Sequence, residues 1–246
     1  MSRGVLLLTF DDFFVPEWSA AREILRRHGS RVTFFLSELD RVADWAPLRE
    51  LAEDGHTVGA HGWRHLHAPD RIAAVGGPAY LREEIGPCVA GLRAEGFAPR
   101  SFAYPVSARD EGSDEVLCSV FARLRGGLSV PYDTEIAAVE EFFVPVDALA
   151  ERRVLIGAGA DTGKLFQPRG LGDASLLGGL RRAAERDECL TLYAHAIAGT
   201  HEANHISPER VGWLLDQAAE LGLRTLGFDD LPVHAPATSL TSSTLE

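Results

Sequence analysis

Two hydrophobic periods alternate along this chain. Val5-Leu6-Leu7-Leu8-Thr9-Phe10 is an almost unbroken apolar run, as expected of a strand buried on both faces. Residues 17–28 then place Trp18, Ala21, Ile24 and Leu25 at helical spacing, with Gly29 as a C-terminal stop. Residues 31–36 return to β-branched and aromatic character. A helix over 46–54 ends at Gly55, and 56–60 reads as a third strand. Residues 71–95 are mainly helical, interrupted at Gly76-Gly77-Pro78 and Pro87, and 101–104 read as the next strand. Residues 115–124, the strand-like 128–130 and 142–144, then 176–186, 190–194, 208–221 and 224–227 continue the pattern. This βα rhythm predicts a parallel sheet covered by helices, and at this length a closed or nearly closed barrel in a single domain.

Composition narrows the partners. The excess of 36 acidic over 24 basic side chains gives a net charge of −12, which argues against nucleic acid or an anionic membrane surface as the main partner. The run from Val5 to Phe10 is too short to span a bilayer, and no signal-peptide pattern precedes it, so a cytoplasmic protein is expected. Cys88, Cys118 and Cys189 are odd in number and far apart, which predicts reduced thiols. The Ser/Thr-rich residues 235–246 read as a tail, including what resembles a cloning scar, behind a catalytic domain over 1–234.

Reactive side chains gather where such a sheet places its site, after the C-terminal ends of strands. Asp11 and Asp12 follow the first, His61 and His65 the third, Tyr104-Pro105-Val106-Ser107 the fourth, and His195 ends the strand over 190–194. Each has a plainer reading: adjacent acids cap helices, and a histidine ending an apolar strand can be a satisfied core residue. His61 and His65 are spaced to lie one turn apart on a helix, close enough to share a cation. Two carboxylates and two imidazoles together supply a divalent metal site with an acid or base beside it.

Thr9-Phe10-Asp11-Asp12, Val32-Thr33-Phe34-Phe35-Leu36 and the stretch from Asp54 through His61-Gly62-Trp63-Arg64-His65 resemble the polysaccharide deacetylase superfamily, carbohydrate esterase family 4. Phe102-Ala103-Tyr104-Pro105 and Leu192-Tyr193-Ala194-His195 are similar to its third and fifth motifs, so the likeness runs over residues 4–232. It implies a distorted, typically seven-stranded (β/α) barrel holding one divalent metal, Zn²⁺ first and Co²⁺, Mn²⁺ or Ni²⁺ as alternatives. By position Asp12, His61 and His65 are the ligands, Asp11 the catalytic base and His195 the general acid. The Val106 N–H would help hold the oxyanion, Leu192 would line the acyl pocket, and Tyr104 would contribute to the substrate surface.

The departures from that pattern are also informative. Gly62 stands where Ser or Thr is usual, removing a hydrogen bond that organises the loop. Ala103 replaces an arginine that pairs with the catalytic Asp, and Arg100 is poorly placed to substitute, so Asp11 is expected to be held less firmly. The fourth motif, whose Asp orients the catalytic His, has no clear counterpart. Asp161 is its candidate, although turn formation better explains the glycine-rich stretch around it.

The resulting expectation is a metal-dependent hydrolase that removes acetyl from an N-acetylated amino sugar or glycoconjugate precursor. Deformylation of a formamido sugar, ring opening of a cyclic ureide as by an allantoinase, and a non-catalytic metal- or carbohydrate-binding protein are the alternatives. Oligomeric state is not fixed by the sequence.

Overall fold

The computed structural model describes residues 3–163 and 171–233, so the expected tail over 235–246 lies outside the described residues. The strands in chain order are β1 (Val5–Asp12), β2 (Thr33–Leu36), β3 (Thr57–Ala60), β4 (Ser101–Ala103), β5 (Arg123–Gly127), β6 (Phe143–Pro145), β7 (Val154–Gly159), β8 (Glu188–Ala194), β9 (Ala196–Ile197), β10 (His205–Ile206) and β11 (Arg224–Thr225). β1, β2, β3, β4, β5, β7 and β8 form a closed parallel barrel of seven strands, sealed where β8 pairs with β1 from Val5↔Cys189 to Phe10↔Ala194. The expected barrel is therefore present. Its distortion lies between β3 and β4, where the ladder is the single pair Ala60↔Phe102.

Period-two alternation explains how the barrel is filled. On β1, Leu6, Leu8 and Phe10 face the helices, whereas Val5 and Leu7 join an interior cluster with Phe35, Ala103, Leu155 and Cys189. The same inward row then continues to Thr9 and Asp11 at the strand's C-terminal end. Apolar packing thus fills the lower barrel and delivers polar groups at its mouth. Among the outer helices, Asp173–Arg186 and Pro208–Glu220 are the longest, and both bury one leucine-rich face.

Several expected elements shift. The helix over 17–28 divides into Val15–Ala20 and Arg22–Arg27 at Ala21. The segment 115–124 contains two elements, the helix Glu111–Cys118, started by an Asp110–Ser113 capping box, and the opening of β5. β5 and β7 were the strands least visible in the sequence, because one carries two arginines inward and the other is rich in glycine. Residues 128–130 form no strand, and β6 pairs antiparallel with β8 outside the barrel.

Arg123 shows what an inward arginine does at the lower end. Its Nη1 donates to the Leu149 and Arg152 carbonyls at 2.9 and 2.8 Å, and Nη2 donates to Pro232 O at 2.7 Å. It ties together the loops that close the barrel. All three cysteines are free, as expected, with Cys88 and Cys189 buried. No helix among the described residues is long and apolar enough to cross a membrane.

Candidate active site

Asp12, His61 and His65 converge at the barrel mouth, offering ligand atoms that all lie within 4.8 Å of one another. Asp12 Oδ1 is 3.5 Å from Nε2 of each histidine. His61 is buried and donates Nδ1–H to the Ala103 carbonyl at 2.8 Å, a bond that fixes the tautomer and leaves Nε2 as a free lone pair. Burial lowers the His65 pKa to about 4, so this ring is neutral near pH 7. For Asp12, burial alone would raise the pKa; the hydrogen bond and charge of His61, with His195 and His65, outweigh it and bring it to about 2. One carboxylate and two imidazoles are a donor set that fits a divalent metal ion such as Zn²⁺.

The two histidines do not lie on a helix, contrary to the spacing argument. They span an irregular loop in which Gly62 (φ +90°) and His65 (φ +55°) are left-handed. Glu84, itself buried, supports this loop. Its Oε1 accepts the Arg64 N–H at 2.8 Å and the Leu66 N–H at 3.4 Å, the two amides flanking His65. Glu84 reaches the loop from one turn of π-helix, Leu81–Ile85, inserted before the helix Gly86–Ala94. A Cβ at position 62 would fall 2.7 Å from Glu84 Oε1. The glycine and the glutamate are therefore complementary, and the loop is organised by a residue that the sequence pattern did not reveal.

Asp11 points into the barrel and is 3% exposed. Its Oδ2 accepts a hydrogen bond from Nη2 of Arg125, a β5 residue that is completely buried. Asp11 Oδ1 has no hydrogen-bond partner among the described residues. The expectation that this carboxylate lacks a cation is thus corrected: Arg100 does not supply one, but Arg125 does.

Asp161 and His195 form a second pair. The carboxylate takes His195 Nδ1–H at 2.8 Å and the His195 backbone N–H at 3.0 Å, while Trp18 Nε1–H donates to the His195 carbonyl at 3.0 Å. Burial opposes the imidazolium, but the charge and hydrogen bond of Asp161, with the charges of Asp11 and Asp12, raise its pKa to about 9. His195 therefore carries a proton at neutral pH. The glycine-rich stretch expected to be a turn is the end of β7, and Asp161 follows directly from it. Gly157 is needed there for space, since a Cβ would lie 3.1 Å from Tyr193 Cδ1 and 3.5 Å from Arg125 Cδ.

Two residues expected on the substrate side are buried. Leu192 packs with Leu190 and Ala194 against the helices, fully buried, because alternation on β8 turns it outward. The inward residue is Tyr193, whose ring lies 4.8 Å from the Arg125 guanidinium carbon and 6.2 Å from the His195 ring. Tyr104 is likewise fully buried and donates its hydroxyl to Asp114 at 2.7 Å, which anchors the fourth-strand turn. Val106 does stand at the rim, 67% exposed, in an uncommon left-handed conformation for a β-branched residue (φ +49°), followed by Ser107 at +59°. Trp63 packs against the core.

The family model for polysaccharide deacetylase matches residues 1–120. Over those residues, just under half of its 246, the chain is similar to that family. A comparison with curated proteins gave no match. Among solved structures, it is similar to the Bc1960 peptidoglycan N-acetylglucosamine deacetylase at TM-score 0.58 and 15% identity, covering 93% of this chain and 87% of that one. The catalytic domain of a peptidoglycan N-acetylglucosamine deacetylase from Eubacterium rectale gives 0.57 and 13%, over 94% and 93%. BA3943, a family 4 pseudoenzyme from Bacillus anthracis, gives 0.55 and 13%, over 93% and 65%. At these identities the likeness is one of fold, and the polysaccharide deacetylase fold is shared by active and inactive proteins.

Proposed function

We propose that this protein is a metal-dependent hydrolase that removes acetyl from an N-acetylated amino sugar or glycoconjugate precursor. One observation carries the reading: Asp11 is buried beside the ligand Asp12, with one carboxylate oxygen tied to Arg125 and the other without a partner among the described residues. A non-catalytic binder has no need of a carboxylate held in this state, whereas a general base does.

Asp12, His61 and His65 would hold the metal, which when bound supplies Lewis acidity and lowers the pKa of water. Asp11 Oδ1 is the atom that takes a proton from the attacking water. The backbone N–H of Val106, presented by the left-handed turn after β4, is the donor for the developing oxyanion. His195, held by Asp161 and protonated at neutral pH, delivers a proton to the departing amine. Base and acid are held by different partners, Asp11 by a cation and His195 by an anion.

The test is product analysis on zinc-loaded protein given N-acetylated glucosamine oligomers, a formamido sugar and allantoin. Acetate release that falls by about 10²–10⁴-fold in Asp11→Asn supports the proposal. Formate or ring-opened product as the main outcome would replace the substrate class, and undiminished turnover in the variant would remove Asp11 as base.

A further inference from the structure

Arg125 and Ala103 are register partners on adjacent parallel strands, Ala103↔Arg125 in the β4–β5 ladder. Partners in such a ladder project to the same face, with strands about 4.8 Å apart, so the two side chains leave the backbone side by side toward the barrel axis. The fully buried Ala103 provides only a methyl group there, and the space beside it admits a long side chain from β5. On the far side, the guanidinium carbon lies 4.8 Å from the Tyr193 ring centroid and 5.8 Å from that of Phe35. Between these aromatic faces the guanidinium has one charged partner among the described residues, Asp11.

We propose that Arg125 is the positioning residue for the general base, and that the cation which the family pattern places at position 103 has moved one strand across while keeping its target. This rests on the reading of Asp11 as the base. Arg123 makes the contrast on the same strand. Two residues earlier, it also points inward but is satisfied by three main-chain carbonyls. Among the described residues the Arg125 side chain bonds no loop carbonyl; by holding Asp11 Oδ2 it leaves Oδ1 as the free oxygen, while its own Nε stays without a partner there. A structural plug would be expected to saturate its donors, as Arg123 nearly does.

The decisive variant exchanges the two residues: Ala103→Arg together with Arg125→Ala. On zinc-loaded protein, Arg125→Ala should lower kcat by about 10²-fold with KM within about threefold, since misplacement of a reacting group costs that much. The exchange should recover at least a tenth of the parental kcat. An unchanged kcat in Arg125→Ala, a loss confined to KM, or an exchanged protein that folds and binds zinc yet recovers nothing would overturn the proposal. Thermal unfolding of metal-free protein provides an arm independent of turnover. Asp11→Asn and Arg125→Met should be strongly non-additive, and the exchange should restore the midpoint lost in Arg125→Ala; additive effects would overturn the placement. If the parent releases no acetate at all, the deacetylase reading falls and the unfolding cycle alone decides whether the cation has changed strands.

Discussion

On the arc from β1 to β3, the site comes from short contiguous stretches: Asp11 and Asp12 end one strand, and His61 to His65 fill one loop. On the arc from β5 through β7 to β8, it comes from single residues more than thirty positions apart, Arg125, Asp161 and His195, joined only by strand register and closure of the barrel. The first arc carries Asp11, Asp12, His61 and His65, whereas the second carries His195 together with Arg125 and Asp161, the residues that hold Asp11 and His195. A metal site can be written locally, because its donors need only share one cation. Asp11 and His195 have separate environments, and those come from different strands through Arg125 and Asp161.

The largest break in this comparison should come from the second arc. Asp161→Asn is expected to lower kcat by about 10²–10⁴-fold while leaving zinc stoichiometry intact, measured by steady-state kinetics beside elemental analysis. Loss of zinc would show that the two arcs are not separable. The same pair sets a pH dependence of stability. His195 has its pKa raised from the ordinary 6.5 to about 9, so its stabilisation is complete below about 6.5 and is lost as pH rises through about 9. The unfolding midpoint of metal-free parent should therefore fall over that window, and Asp161→Asn should flatten the fall. An equally steep fall in the variant would assign it to other groups.

The first arc should fail differently. Glu84→Ala removes the acceptor for both amides flanking His65, and zinc affinity should drop by about 10–100-fold, read by competition with a chelating dye. An unchanged affinity would show that the loop holds its shape unaided. The smallest effect belongs to the rim. Val106→Gly replaces a β-branched residue at φ +49° and should stabilise the fold by about 1 kcal/mol in chemical denaturation. Destabilisation would mean that the valine side chain packs against something.

The barrel and the triad were legible because buried strands and adjacent polar motifs leave local patterns. β1 announces itself as an apolar run that ends at Asp12, and His61 and His65 lie in the loop that follows β3. Arg125 was hidden because an inward arginine breaks the apolar signal that would have marked β5, and because register, which pairs it with Ala103, is not written within either segment. Asp161 was visible but discounted, since glycines that make room for Tyr193 look like turn formers until the neighbouring strand is known. The parity of a single strand, which turns Leu192 outward and Tyr193 inward, is likewise not written in the segment itself. Glu84 had a faint signal in a helical stretch interrupted by glycine and proline.

That stretch has a consequence for how the chain tolerates change. The π turn Leu81–Ile85 acts as a phase shifter between the helical segments on either side of it. An α-helix advances about 100° per residue, so deleting one residue here would turn Glu84 off the metal loop, or else rotate the buried face of Gly86–Ala94 away from the barrel. A substitution in this segment can be absorbed locally, but a change of length cannot, and the spacing of residues 81–85 is as much a part of the metal loop as the histidines it supports.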